Sequence, residues 1–381
     1  MEKRNLTIIF LITLMAVMGV ASITPAFPSI IRHFNISPPQ VTKLIIVFTF
    51  PGIFLAPVVG ILADHWGRKT ILLPSLLLFG LAGTGCFFTK DWEILLILRF
   101  FQGIGAASLG SLNVTLIGDL FSGEKRTEVM GFNASILSVG TAAYPFIGGA
   151  LAMAGWQYPF LLPFLAIPTA LLAIFYLKNP EPGKPQKLKD YLRRTWKNIN
   201  KKTVWGLFII NVLLFVVLYG AYLSYFPQLM EERFGATALQ IGLFMSGFSL
   251  VTAITSSQLK RINSRVTPKA QLNISFMLYL VSMLILSVAS EWWHLIIPLI
   301  TFGLAHGMLI PGIQTLLVGF APLSERAGFM SINSMVLRLG QTFGPLFIGL
   351  FYTLGGTEIA FAGGAIVSLV MLVVSRFMVK I

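Results

Sequence analysis

The sequence predicts an all-α membrane protein of twelve transmembrane helices arranged as two parallel six-helix halves. Three observations predict it. Of 381 residues, 56% are apolar and only 11% charged, with a mean hydropathy of +0.82. A soluble domain is about 25% charged, so this chain lacks the polar coat that a water-exposed surface needs, and lipid must cover most of it. Twelve apolar stretches are each long enough to cross a bilayer, which takes about 20 residues. Finally, the second half repeats the first at a fixed offset. A soluble enzyme, a disordered chain and a collagen-like chain are excluded together.

The spans lie near 7–31, 41–63, 70–88, 93–118, 127–153, 157–178, 203–228, 237–258, 269–289, 293–318, 327–352 and 357–378. The first follows Lys3 and Arg4 as a signal peptide would, but its apolar run is too long and no small-x-small cleavage site follows, so it reads as a span. Between the sixth and seventh spans stands the one long polar connection, with Pro180, Pro182, Gly183 and Pro185 among nine basic residues from Lys178 to Lys202. It divides the chain into an N-terminal half (1–178), a basic linker (179–202) and a C-terminal half (203–381). After Pro185 the linker reads equally as a surface helix on anionic lipid or as a plain solvated connection. The single cysteine, Cys86, excludes an internal disulfide and any multi-cysteine metal site.

A net charge of +14 would suggest nucleic acid in a soluble protein. Position decides otherwise. With twelve spans both termini share a side, and that side holds 22 of the 28 Lys and Arg residues, including Arg68, Lys69, Lys125, Arg126, Lys260 and Lys269. The opposite side holds only Arg32, Lys43, Lys90 and Arg233, together with Asp91, Glu93, Glu231, Glu232, Glu291 and Glu358. The positive-inside rule then places both termini in the cytoplasm of a cell in whose cytoplasmic membrane the chain resides.

At an offset of 200, Gly103, Thr115, Arg126, Asn133, Gly140 and Pro145 reappear as Gly303, Thr315, Arg326, Asn333, Gly340 and Pro345. A six-span shift preserves orientation, so the repeat is parallel, as in one known class of transporter. Between spans 2 and 3 stands Gly60-Ile-Leu-Ala-Asp64-His-Trp-Gly67-Arg68-Lys69. This resembles the loop 2–3 signature of the major facilitator superfamily, G-x-L-x-D-x-x-G-R-[KR]. Arg99-x-x-Gln102-Gly103-x-Gly105-x-Ala107 resembles the family's span 4 signature. Gly131, Gly140, Pro145, Gly148 and Gly149 resemble its span 5 antiporter signature, with Tyr144 in place of the glycine before proline. The resemblance covers the whole chain and is strongest to the twelve-span drug and metabolite exporters.

That resemblance implies a cytoplasmic gate at Gly60, Asp64, Gly67, Arg68 and Lys69, with Asp119 and Arg126 as partners, and a helix-interface hinge at Gly140, Pro145, Gly148, Gly149, Gly344 and Pro345. In physical terms, Asp64 can pair with Arg68 or sit at the positive end of a helix of the other half, glycines let helix backbones approach, and proline bends a helix. Because span 11 keeps the glycine that Tyr144 replaces, the halves need not move alike. Gly103-Ile-Gly105 follows no strand and is no dinucleotide loop. With no phosphate loop and no hydrolase or zinc motif, neither an enzyme nor a bound cofactor is expected.

Three ionisable residues fall within spans: Arg99, His306 and Arg338. Such residues are functional candidates by default. None of the 14 acids lies at the core of a span, which leaves three routes for coupling: a proton on His306, an anion on Arg99 or Arg338, or none. Two arginines without a carboxylate suit neutral or anionic lipophilic cargo better than cations. By the resemblance, the cavity-lining spans add Gln102, Asn133, Tyr219, Tyr222 and Asn333, with Ser22, Thr24, Asn113, Asn211, Tyr225, Gln228, Gln314 and Gln341 as further candidates. The expected function is proton-coupled export of a small organic molecule by alternating access, by a monomer embedded in lipid and without nucleic acid. An importer of the same fold, for a sugar or organic acid, is the alternative; a non-transporting receptor has no use for the gate motif. Arg99→Ala is expected to lower transport with the fold intact. Asp64→Asn is expected to bias the protein toward its inward-open state, and unchanged cysteine accessibility on both faces would count against the gate.

Overall fold

Hydrocarbon offers a backbone no hydrogen-bond partners, so each crossing must satisfy its own peptide groups as a helix. The computed structural model describes residues 2–177, 201–320 and 326–380 and contains helices and turns with no strand among them. The linker expected over 179–202 lies almost wholly outside the described residues. The helices are α1 (Arg4–Phe34), α2 (Lys43–Trp66), α3 (Arg68–Phe88), α4 (Trp92–Leu120), α5 (Gly123–Ala154), α6 (Tyr158–Tyr176), α7 (Lys202–Phe234), α8 (Ala238–Ser257), α9 (Pro268–Val288) and α10 (Trp292–Phe320). A last stretch, Arg326–Met378, has 53 residues, about 80 Å of helix and more than two bilayer cores. It is broken at Gly355 and at Gly356, whose φ of 69° is the left-handed conformation that glycine adopts without strain. The break yields α11 (326–354) and α12 (357–378), so the eleven long apolar stretches make twelve crossings.

Two large hydrophobic cores form, one from residues between Ile8 and Leu177, the other from residues between Val204 and Val379, with a small third cluster of Ile9, Ile117, Phe121 and Val129 in the N-terminal half. The offset of 200 holds in three dimensions well beyond the six sequence matches. Ser37 with Gln40 and Thr237 with Gln240 form capping boxes that start the second and eighth crossings, the backbone N–H donating to the glutamine at 2.7 and 2.8 Å. Gly103 lies against the Phe48 carbonyl and Gly303 near that of Phe248. Asn133 ties α5 to α1 through Thr13, and Asn333 ties α11 to α7 by accepting from Asn211 Nδ2 at 2.7 Å. Lys69 donates to the terminal carbonyls of α6 (Ile174, 2.6 Å; Leu177, 3.1 Å), and Lys269 to that of α12 (Val379, 2.8 Å). Each lysine thus satisfies helix-end carbonyls at their negative pole.

The face carrying Arg68, Lys69, Lys260 and Lys269 is here termed the basic face, and that carrying Glu231, Glu232 and Glu358 the acidic face. The halves meet from the acidic face to mid-depth. There Arg32 of α1 pairs with Glu231 of α7, Thr24 Oγ1 meets Met245 Sδ at 3.8 Å, and the Phe146 N–H donates to Ser246 Oγ at 3.0 Å. Thr49 and Thr342 hydroxyls meet at 2.9 Å. Between α5 and α8 the contact is backbone on backbone: Gly149 abuts the Ala238 carbonyl and Gly242 that of Pro145, while Gly148 abuts the Ser22 carbonyl of α1. Toward the basic face the helices part. Gly110, Ser111 and Val114 of α4, Gly131 and Phe132 of α5, and Gln314 and Thr315 of α10 are exposed. A Cβ added at Gly110 or Gly131 would meet nothing within 4 Å.

Gly148→Ala drives a methyl into a backbone carbonyl and is expected to destabilise the protein by about 1–3 kcal/mol, whereas Gly110→Ala is expected to be neutral. Cys86 is the only cysteine and is fully buried, so its reaction with a thiol-reactive dye on heating reads both out.

Candidate functional site

The parting of the halves toward the basic face leaves a cleft whose floor is the mid-membrane seam, and there the polar candidates separate into distinct groups. Arg338 of α11 is partly buried, and its guanidinium lies against Gly52 of α2, in the opposite half. Among the described residues it makes no hydrogen bond or ion pair. Tyr219 of α7 is within its electrostatic reach and packs against both hydrophobic cores. Tyr219 sits in a π-helical stretch, Val216–Leu223, where Ser224 Oγ donates to the Tyr219 carbonyl at 2.6 Å. Such bulges are frequent at functional sites. This one brings Gly220 onto the Gly344 carbonyl and holds α7 close to α11.

Arg99 differs from the expectation that it faces the cavity. It is fully buried. Its Nε and Nη2 both donate to the Leu44 carbonyl at 3.2 Å, Nη1 donates to Gln102 Oε1 at 2.6 Å, and the guanidinium lies 4.3 Å from the centre of the Phe48 ring. The signature arginine and glutamine of α4 therefore clamp α4 to α2 within one half.

His306 of α10 is 8% exposed, and its Nδ1 is 2.6 Å from the Tyr279 hydroxyl of α9. Tyr222 and Tyr225 turn into the C-terminal core. Tyr222 packs between Phe226 and Phe302 at 5.0 and 4.9 Å, and Tyr225 stacks on Tyr352 at 4.9 Å. Both hydroxyls are buried without a partner among the described residues. Asn133 and Asn333 are buried in the pairs described above and not in the cleft, with Asn113 Nδ2 donating to Thr13 and Asn133 at 2.6 and 3.0 Å.

Of the gate residues, Gly60 and Asp64 lie in α2, but their side chains fall outside the described set, as does that of Arg326. Gly67, at φ 92°, makes the turn into α3. Arg68 Nε donates to Asp119 Oδ2 at 3.0 Å, joining α3 to α4. Lys69 serves α6, and Arg126 passes near Gly118. These contacts lie within the N-terminal half. The hinge residues divide between two seams: Gly148 and Gly149 face α1 and α8, while Gly140 packs on Leu14 and Val17 of α1 and Gly344 on α7. Tyr144 is buried, its ring 3.4 Å from where a Cβ at Gly140 would stand.

Sequence reasoning missed Gly52 and the Arg32–Glu231 pair. Residue type marked neither of them; at the offset of 200, Arg99, His306 and Arg338 correspond to Leu299, Ala106 and Ser138. The repeat builds the scaffold, and the membrane-depth ionisable groups are its departures.

A profile of the Major Facilitator Superfamily matches residues 9–233 and 217–380. The chain is 27% identical to Multidrug resistance protein 1 of Bacillus subtilis over 358 residues, 92% of this chain and 91% of that one. It is 28% identical to the Bacillibactin exporter of the same organism over 367 residues, 90% and 88% of the two chains. Among solved structures it is similar to the nucleoside transporter NupG (TM-score 0.82, 12% identity, 99% and 100% of the two chains). It is also similar to the human organic anion transporter MFSD10 (TM-score 0.73, 18% identity, 98% and 99%). At these identities the structural likeness is one of fold.

Because Arg99 is the donor to a buried carbonyl and a buried amide, Arg99→Ala is now expected to lower stability by about 2 kcal/mol as well as transport. Thermal exposure of Cys86 at the wild-type temperature would return Arg99 to a purely transport role.

Proposed function

The chain belongs to the major facilitator superfamily, and from that premise we propose that it is a secondary transporter of the cell membrane that exports small lipophilic organic compounds, neutral or anionic, by proton-coupled alternating access. The observation that carries the mechanism is the unequal closure of the two faces. The acidic face is sealed by the Arg32–Glu231 pair and the α5–α8 glycine contacts, while among the described residues the helices part toward the basic face. With basic loops in the cytoplasm, this is the inward-open state, ready to load cargo from the cell. Rocking the halves, with the α5–α8 glycine contacts as the hinge, would break the Arg32–Glu231 pair and bring the basic-face ends together.

Direction and cargo draw on the relatives, which are named as a multidrug resistance protein and a bacillibactin exporter. The absence of any acid at the core of a span and the open position of Arg338 support neutral or anionic cargo over cations. His306 is the group for the proton. In the tautomer whose Nδ1–H donates to the Tyr279 hydroxyl, Nε2 is the nitrogen that gains or loses it as the halves move. Asp64, Arg68 and Asp119 would lock the basic face in the outward-open state; in the inward-open state Arg68 and Asp119 pair with each other.

In proteoliposomes, flux of a lipophilic fluorescent probe is expected to rise when a pH gradient is imposed, and His306→Gln is expected to remove that rise while leaving downhill exchange. Flux indifferent to the gradient would make the protein a facilitator. The Arg32–Glu231 pair is solvent-accessible, so Glu231→Gln is expected to favour the outward-open state by up to about fivefold, read as accessibility of a cysteine at the seam. Combining Arg32→Glu with Glu231→Arg is expected to restore the wild-type balance.

A further inference from the structure

We propose that Arg338, Tyr219 and the space left by Gly52 form a binding site for the negatively charged group of an amphiphilic organic anion, a carboxylate, sulfonate or phenolate on an apolar body, and that Gly52 is a positioning residue of this site. The inference rests on the export reading above and names the cargo of the same cleft.

Four observations carry it. The first is the state of the charge. Among the described residues Arg338 makes no hydrogen bond or ion pair, whereas Arg99, the other arginine within a span, places its donors on Leu44 and Gln102. A guanidinium at membrane depth that lacks a protein partner is costly unless water or a counter-ion meets it. The second is the origin of any counter-ion. All 14 acids of the chain lie outside the cores of the spans, so cargo has to bring the negative charge. The third is Gly52. An added Cβ there would stand 2.6 Å from Arg338 Cζ and 2.5 Å from Cδ. Only glycine lets the guanidinium cross from α11 onto α2. The fourth is Tyr219, which packs against the hydrophobic cores of both halves and whose hydroxyl makes no hydrogen bond among the described residues, so that a second donor is left at the seam.

The position gives the charge a role in the cycle. Arg338 belongs to one half and touches the other, so an anion on it is held at the surface across which the halves move. In the inward-open state water from the cleft can reach Arg338, a residue that is partly exposed. Closing the basic face removes that water. An empty site then leaves a bare charge in a dry seam, and an anion-filled site leaves a neutral pair. Occlusion is thereby favoured by anionic cargo over its uncharged analogue.

The test uses purified full-length protein and two probes of equal shape, N-dansyl-phenylalanine and its carboxamide, with binding followed by dansyl emission. The wild type is expected to bind the carboxylate about tenfold more tightly than the amide. Arg338→Gln is expected to bring that ratio near one. Gly52→Ala is expected to do the same, because the methyl displaces the flexible end of Arg338 and no backbone, and thermal exposure of Cys86 checks that this variant is folded. Arg338→Lys is expected to keep part of the preference. Equal binding of the two probes by the wild type, or a preference that survives Arg338→Gln, overturns the site. If the amide is nonetheless transported in proteoliposomes, the export reading stands and only the anion site falls. Neither binding nor transport of either probe would count against both.

Discussion

No water is available in the core of a bilayer to solvate a polar group, and most of this structure follows from that shortage. Each polar side chain at depth has to find its partner inside the protein. Arg99 spends its donors on the Leu44 carbonyl and on Gln102. The buried asparagines pair with Thr13 and with one another, and Tyr279 meets His306. At the helix ends Lys69 and Lys269 satisfy carbonyls of α6 and α12. Among the described residues the Tyr222 and Tyr225 hydroxyls are buried without a partner, and Arg338 is the charged group at depth that lacks one. Its charge is met by the open cleft, which makes its environment dependent on the conformation of the molecule.

The repeat supplies a symmetric scaffold, but the two seams between the halves are unlike. The α5–α8 seam is closed by glycines that let carbonyl oxygens and backbones touch. Such contacts change little with small rotations and suit a hinge. The α2–α11 seam is closed by the Thr49–Thr342 hydroxyl contact and by Arg338 lying on Gly52. Side chains can separate and re-form without distorting a helix, so this seam is the one whose polar content can change between states. Tyr144, which replaces a glycine of the span 5 signature, adds bulk to the N-terminal core beside Gly140 and α1.

Much of the fold was legible in the sequence because lipid imposes simple rules. Span length follows from bilayer thickness, the charged loops report the two faces, and the offset of 200 survives where it packs helices. The sites were less legible for a geometric reason. Arg99 in a membrane span marks a special residue, yet the carbonyl it meets belongs to Leu44, a backbone group invisible to residue type. Arg338 was visible, but Gly52 was one glycine among 35 until the crossing of α2 over α11 was known. Tyr219, Tyr222 and Tyr225 recur every third residue and all read as cavity candidates. The π-helical stretch and helix packing send Tyr219 to the seam and the others into the core. The reading of Lys69 as a gate residue followed from its neighbours in the motif, whereas its role on α6 becomes plain only beside Lys269 and α12.

The central claim is that the two halves rock about a mid-membrane seam, closed on the acidic face and open on the basic face in the state described. Distances between spin labels measure this most directly. One pair would stand at Val114 and Gln314, on the basic-face ends of α4 and α10, and the other at His33 and Glu232, beside the Arg32–Glu231 pair. The account predicts a long basic-face distance and a short acidic-face distance without cargo, and opposite changes in the two when cargo and a pH gradient are supplied. Distances that change in the same direction, or an acidic-face distance that stays fixed while the basic face closes, would contradict it.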